Sequence, residues 1–395
     1  MNSLRTGNQN LVKQINKSIV FKCIENKGPV SRAQISKETG LNKATVSSMV
    51  TELINESFVY EIGSGQSSGG RKPVMLYFNN LAGYSIGIDL GVNYILGVLT
   101  DLRGTIIEET TISMNETAFE YVLENIIFVI EDLIDKAPNS TYGIVGIGVG
   151  VPGNVDKDDK ILFAPNLHWK QVDLKLMIEN RFRIPVTIEN EANAGSHGER
   201  LYGAGKNISN LIYISIGIGI GTGIIIDNQL YTGASGISGE MGHVTIDANG
   251  RKCSCGNRGC WELYASESAL LKEAKTENLL SKEDGSNLGY LIDEAQSGNP
   301  VVLRVLNQLG EYIGIGLTNI INTFNPEVVI IGNRMAQFEQ WIANPIDNML
   351  SERLSTFHKE GTEVRFSNLG KHSCAIGAAS FSVSKFMDDK RVTVR

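Results

Sequence analysis

Four residues within a single short stretch, His243, Cys253, Cys255 and Cys260, concentrate the chain's metal-binding chemistry. Their spacing is His-x9-Cys-x-Cys-x4-Cys. One imidazole and three thiolates make a closed tetrahedral donor set that suits Zn2+, with no position left open for a substrate, so a structural ion is expected. Gly250, Gly256 and Gly259 would let the backbone wrap tightly around it. The plainer reading is three reduced, buried thiols beside an unrelated histidine. The remaining cysteines, Cys23 and Cys374, stand far apart in the chain. In a reducing compartment such a cluster reads as ligands rather than disulfides.

A second set of residues could read nucleic acid. Asn42, Lys43, Ala44, Thr45, Ser47 and Ser48 occupy the first turns of an expected helix and are small or polar. A helix N-terminus of this kind can slide into a major groove. Ala44 or the Thr45 methyl could meet a thymine methyl, and Asn42 and Lys43 purine edges or phosphates. Further on, "GGRKP" places Arg71 and Lys72 on a thin, extended segment that fits a narrow minor groove. The alternative is that Asn42 is only a cap and Arg71 and Lys72 are solvated loop charges. Residues 1–80 hold ten Lys/Arg against five Asp/Glu, so +5 of the net −7 sits there and −12 falls on the rest. A basic head on an acidic body is consistent with double-stranded DNA as the head's partner.

The elements that must position these groups are legible as patterns. Leu11, Ile15 and Ile19, with Val20 and Ile24 beside them, suggest one apolar helix face that "KGP" ends. Ser31 and Gln34 form a capping-box pattern, and the helix they start stops at Gly40. Asn42 caps the next helix, whose stripe is Val46, Met49, Val50, Leu53 and Ile54. Two β-like runs follow, Phe58–Ile62 and Val74–Phe78. Three helices and a hairpin predict a winged helix-turn-helix. Asn79–Gly83 reads as a short linker.

From Tyr84 the texture becomes α/β. Strands are expected at Ser85–Asp89, Tyr94–Thr100, Gly143–Val149, Val186–Ile188, Leu211–Ile216, Gly223–Ile226 and Val328–Ile331. Helices are expected at Ala118–Asp135, Glu267–Ala274 and Val301–Asn322. Gly-rich turns near Asp89 and Gly217 suggest two related lobes. The start, "MNSLRTGNQNLVKQ", has no apolar leader, and no run of 18 apolar residues occurs. No membrane partner and a cytoplasmic location are therefore expected.

The segments "GIDLGVN" (87–93), "VPGNVD" (151–156), "ENEANAG" (189–195), "SIGIGIGTG" (215–223) and "GEMGH" (239–243), then the cysteine knot ending in Glu262, occur in the order seen in ROK proteins. The resemblance to that family of repressors, open reading frames and kinases covers essentially the whole chain. Within it, "GLNKATVSSMV" and "GQSSGGRKPVMLYFN" resemble the xylose-repressor branch of Gram-positive bacteria. The resemblance implies an α/β, two-lobed, actin-like (ribonuclease H-like) ATPase fold with a sugar cleft. It implies a winged helix-turn-helix domain over 1–80 and a first lobe over 81–193 plus a C-terminal helix at about 376–395. A second lobe with the zinc knot would span 194–375. It also implies that Asn190, Glu191, Glu240, His243 and Glu262 contact the sugar. Carboxylates suit that task because each can accept two hydroxyls.

Four departures from the family's kinases suggest that catalysis is lost and no nucleotide is bound. Asp89 is followed by Leu90, Gly91, Val92 and Asn93 rather than by Gly-Gly-Thr, so bulk replaces a close amide approach. The second turn carries Ile218 where kinases have Thr, and Gly332 is followed by Asn333. Glu191 stands where the kinases place an Asp base. The resemblance thus implies a non-enzymatic, sugar-responsive repressor, a homodimer released from its operator by D-xylose. The rivals are an active sugar kinase with a regulatory role and a repressor answering to glucose or N-acetylglucosamine.

Overall fold

The computed structural model describes residues 9–64, 73–280, 288–390 and 392. The head comprises α1 (Gln9–Lys27), β1 (Val30–Ser31), α2 (Arg32–Thr39), α3 (Lys43–Asn55), β2 (Val59–Ser64) and β3 (Val74–Phe78). Its strands pair in the order β1-β3-β2. The capping box forms: the Gln34 amide donates to Ser31 Oγ at 3.3 Å and the Ser31 amide to Gln34 Oε1 at 2.9 Å. Gly40 ends α2 at φ 71°, where a side chain would be strained. On α3 the stripe Val46, Met49, Val50 and Leu53 is buried, and Ile54 is half-buried.

The expected face of α1 requires correction. Ile15 and Ile19 are 40% and 38% exposed, whereas Val20, Phe21 and Ile24 are fully buried. The helix packs through positions 17, 20, 21 and 24. Lys17 lies along that seam with its ammonium 2.6 Å from the Glu56 carboxylate, as a long stem with a charged tip permits.

The body follows with β4 (Tyr84–Leu90), β5 (Tyr94–Asp101), β6 (Ile106–Ser113), α4 (Phe119–Lys136) and β7 (Ile144–Val151). A small sheet, β8 (Asn154–Val155), β9 (Ile161–Ala164) and β10 (Trp169–Val172), precedes α5 (Leu174–Phe182), β11 (Val186–Asn190) and α6 (Glu191–Tyr202). The second half contains β12 (Leu211–Ile216), β13 (Ile220–Ile226), β14 (Gln229–Leu230), α7 (Glu262–Ala265), α8 (Glu267–Thr276), α9 (Leu288–Gln296) and α10 (Pro300–Phe324). It ends with β15 (Val328–Gly332), α11 (Glu339–Arg353), α12 (Thr356–Gly361), β16 (Glu363–Phe366) and α13 (Ser373–Asp389).

The two large sheets repeat one plan. The first runs β6-β5-β4-β7-β11 and the second β14-β13-β12-β15-β16. In each, the three strands on one side pair antiparallel and the last two join in parallel. Each sheet carries its own apolar core. Helices α6 and α13 pack on each other, α13 against the first sheet and α6 against the second. Small residues allow the close approach. A Cβ on Gly377 would fall 1.7 Å from the Ala194 carbonyl oxygen, and one on Gly148 1.9 Å from that of Ala378.

The segment expected as a linker is packed instead. Asn80–Ala82 forms a 3-10 turn with Ala82 buried, and the Leu102 amide donates to the Asn80 carbonyl at 3.0 Å. Phe58 of the head stacks on Tyr142 of the body at 5.2 Å and 21°. The Tyr142 hydroxyl donates to the Glu56 carbonyl at 2.5 Å, and Phe386 of α13 packs on both rings. Arg103 lies 4.9 Å over the Tyr77 ring and donates to the Glu25 carbonyl. One apolar cluster therefore runs from Val20 and Leu53 through Leu102 and Val145 to Val383 and Met387. The boundaries drawn at 80/81, 193/194 and 375/376 fall inside the 3-10 turn, α6 and α13 respectively. No helix among the described residues is long and apolar enough to cross a membrane.

Candidate sugar cleft, metal knot and reading helix

The knot brings its four residues together. The ligand atoms of His243, Cys253, Cys255 and Cys260 all lie within 4.8 Å of one another. Cys255 and Cys260 Sγ are 3.7 Å apart, and His243 Nδ1 is 3.7 Å from Cys253 Sγ. A tetrahedron with metal–sulfur bonds of about 2.3 Å has edges of about 3.8 Å, so the donor set fits Zn2+. Gly256 at φ 95° and Gly259 at φ 68° make the turns that bring the sulfurs round. Trp261 anchors the end of the loop. It is 1% exposed, and its indole N–H donates to the Tyr312 carbonyl at 2.8 Å.

The anchor delivers Glu262 to the knot's edge, with Oε1 3.3 Å from His243 Nδ1 and 3.2 Å from Cys253 Sγ. The other imidazole nitrogen, Nε2, faces away from the sulfurs and lies 4.0 Å from Glu240 Oε2. One ring nitrogen is thus turned to the thiols and the other to the carboxylate of Glu240. Glu240 also reaches across to the first half of the body, accepting from Asn154 Nδ2 at 3.3 Å.

Asn190 and Glu191 come from the β11–α6 junction. Asn190 caps α6, accepting from the Ala192 and Asn193 amides, and donates to the Gly153 carbonyl at 3.0 Å. Glu191 is the first residue of α6. Burial and the nearby Asp89 charge push its carboxyl from 4.5 up to about 8. It accepts a long hydrogen bond, 3.4 Å, from Ser215 Oγ.

Sequence reasoning missed three residues beyond Glu191: Tyr94, Glu267 and Arg334. The Tyr94 ring lies against Gly91, where a Cβ would meet it at 2.2 Å. The Tyr94 hydroxyl donates to Asp89 Oδ2 at 2.7 Å. Arg334 follows Asn333, which adopts φ 62°, and its guanidinium sits 4.9 Å over the Tyr94 ring. It pairs with Glu267 at 3.1 Å and donates to Asn93 Oδ1 at 3.3 Å. Asn333 Nδ2 donates to Ser215 Oγ at 3.0 Å. Val92, Ile218, Tyr94 and Arg334, together with Glu191, Pro152 and Asn166, line a cavity of about 40 Å3 at the two Gly-rich turns. That is room for a few waters. Arg334 gives no sequence signal, because Asn93 lies 241 positions away.

On the head, Asn42, Lys43, Ala44, Ser47 and Ser48 are exposed and Thr45 is half-buried. Asn42 does cap the helix: its Oδ1 accepts from the Thr45 amide at 2.8 Å. Arg71 and Lys72 lie outside the described residues.

Comparison with known proteins matches residues 85–384 to the ROK family. The chain is 50% identical over 383 residues to a xylose repressor of Bacillus subtilis (strain 168), covering 97% of this chain and 98% of that protein. Among solved structures, a ROK family transcriptional regulator, a homolog of the E. coli MLC protein, superposes with a TM-score of 0.80 at 29% identity, over 96% of this chain and 99% of that one. A ROK family glucokinase from Streptomyces griseus, in complex with glucose and AMPPNP, matches at 30% identity with a TM-score of 0.70, over 76% of this chain and 99% of the enzyme.

Proposed function

Because the chain belongs to the ROK family, we propose that it is a sugar-responsive transcriptional repressor that leaves its operator when D-xylose binds. The observation that carries this reading is the likeness to the xylose repressor, which spans both head and body with an overall identity of 50%. The glucokinase match covers 76% of this chain, the extent of a body without a head.

Residues 1–80 act as the DNA reader, 81–193 with the C-terminal helix as the first lobe, and 194–375 as the second. The face of Asn42, Lys43, Ala44, Thr45, Ser47 and Ser48 enters the major groove, and Arg71 and Lys72 extend the contact into a minor groove. Sugar hydroxyls are held by Asn190 and Glu191 on one side and by Glu240, His243 and Glu262 on the other. His243, Cys253, Cys255 and Cys260 would hold one Zn2+, which cross-links the loop and fixes the imidazole's orientation. A ligand held from both sides favours the closed arrangement and shifts the population towards it. In a homodimer, closure changes the spacing of two heads that must match operator half-sites.

The protein is not a kinase in this reading, because the space between the Gly-rich turns is filled by its own side chains. A longer carboxylate at 191 would occupy the room that the extra hydroxymethyl of glucose needs, so Glu191→Asp should relax selectivity towards glucose. The decisive experiment is release of a DNA duplex, selected by the protein from a random pool, across xylose, glucose and N-acetylglucosamine. Release by xylose alone at low concentration is expected. Release by none of them, or sugar-dependent ADP formation from ATP, would overturn the reading.

A further inference from the structure

The contacts around Arg334 join parts of the molecule that belong to different sheets. Asn93 and Tyr94 sit at the β4–β5 turn of the first sheet, while Arg334 follows β15 of the second. Arg334 is braced from its own side by Glu267, whose side chain is 1% exposed and whose Oε2 is buried without a hydrogen-bond partner. From that brace it reaches over the Tyr94 ring and to Asn93 Oδ1. Both ends of the bridge lead to the cleft. Tyr94 bonds Asp89, and Asn333, the neighbour of Arg334, bonds Ser215, which bonds Glu191.

We propose that Arg334 is a latch between the two sheets that sets the cleft's sugar affinity without touching the sugar. The inference rests on the reading of the cleft as a sugar site. A sugar gripped from both sides binds only the arrangement in which the sides are close. Its apparent dissociation constant is the intrinsic one divided by the fraction of molecules already in that arrangement. The cation over an aromatic face and the bond to Asn93 are made only when the sheets approach, so they raise that fraction before any sugar arrives. The latch is a positioning device. Its loss should weaken sugar binding while leaving the knot and the reading helix untouched.

The test is titration calorimetry of the full-length protein with D-xylose, D-glucose and N-acetylglucosamine. The variants are Arg334→Ala, Arg334→Lys, Tyr94→Leu, Asn93→Ala and the double Asn93→Ala/Arg334→Ala. For the sugar that binds wild type, Arg334→Ala should raise Kd about tenfold, within the usual range of coupling between sites. Asn93→Ala and Tyr94→Leu should raise it about three- to fivefold. Arg334→Lys should recover part of the loss through the ring contact. The double variant should bind no more weakly than Arg334→Ala, because Asn93 acts only through the arginine. Additive losses, or dissociation constants equal to wild type, overturn the latch alone. If Arg334→Ala strands Glu267 and fails to fold, Asn93→Ala and Tyr94→Leu decide the matter. A wild type that binds none of the three sugars overturns both the latch and the sugar reading.

Discussion

At the knot end of the cleft, Glu240, His243 and Glu262 keep 49%, 33% and 20% of their side chains accessible. At the turn end, Glu267 and Arg334 keep 1% and 25% and are bonded to each other and to the opposite sheet. Both ends are rich in polar groups at facing Gly-rich or Cys-rich loops. Groups at both ends are bonded to neighbours, but those at the knot end keep more of their surface accessible. In the proposed reading, the difference is how a two-ligand cleft becomes a one-ligand cleft. On that reading the contacts of Tyr94, Glu267 and Arg334 stand in for the second ligand and the bridge it would make.

The harshest way to break the comparison is to remove the knot. Cys260→Ser, or prolonged chelation, should strip the metal and lower sugar affinity by a factor of about a hundred or more, since the ion would hold the loop carrying His243 and leading into Glu262. Metal analysis alongside calorimetry reads both effects. Retained sugar affinity in the metal-free protein would mean that the knot end is not the ligand end.

Glu262→Gln is gentler. Losing one charged acceptor costs about 1.5–3 kcal/mol, a ten- to hundredfold loss of sugar affinity, with sugar-free operator binding unchanged in a gel-shift assay. Next in size is a pH effect at the junction of the two ends. The carboxyl of Glu191 is raised from 4.5 to about 8, so the folded protein holds a proton that the unfolded chain releases. That contribution to stability is complete below about pH 4.5 and is lost as the pH climbs through 8. Thermal melts between pH 5 and 9 should therefore fall more steeply for wild type than for Glu191→Gln. The smallest expected effect sharpens the turn end: Val92→Gly with Ile218→Thr should yield no ADP release from ATP, because Tyr94 and Arg334 still fill the space. Turnover in that double variant would show that the two aliphatic side chains were the whole barrier.

Much of the frame was legible because periodicity and caps agreed. The α3 stripe, the Ser31 capping box and the Gly- and Ile-rich strands fell where their patterns put them. The misses have physical causes. β6, Ile106–Ser113, forms the edge of its sheet and is mostly polar, with Glu108, Glu109, Thr111 and Ser113 exposed or half-buried. α6 has no apolar stripe, because small residues such as Gly195 and Gly198 are what its crowded position demands. On α1 the Val20 and Ile24 part of the expected face is buried, but Ile15 and Ile19 are not, because α2, α3 and β3 pack on the side that carries Phe21. The knot was visible as a local cluster, whereas the Tyr94–Arg334 contact depends on the superposition of two sheets.

Helix α13 reaches from the cleft to the head. Its first turn carries Cys374 into contact with Gly150, beside Asp89 and Glu191, while Phe386 and Met387 near its other end belong to the head's own apolar cluster. Seventeen residues make a stiff spar of about 25 Å. Pivoted at the cleft, a tilt of about five degrees would carry its far tip about 2 Å over that length. Since no slack chain separates that tip from the reading helix, such a swing would be delivered as leverage rather than absorbed as play.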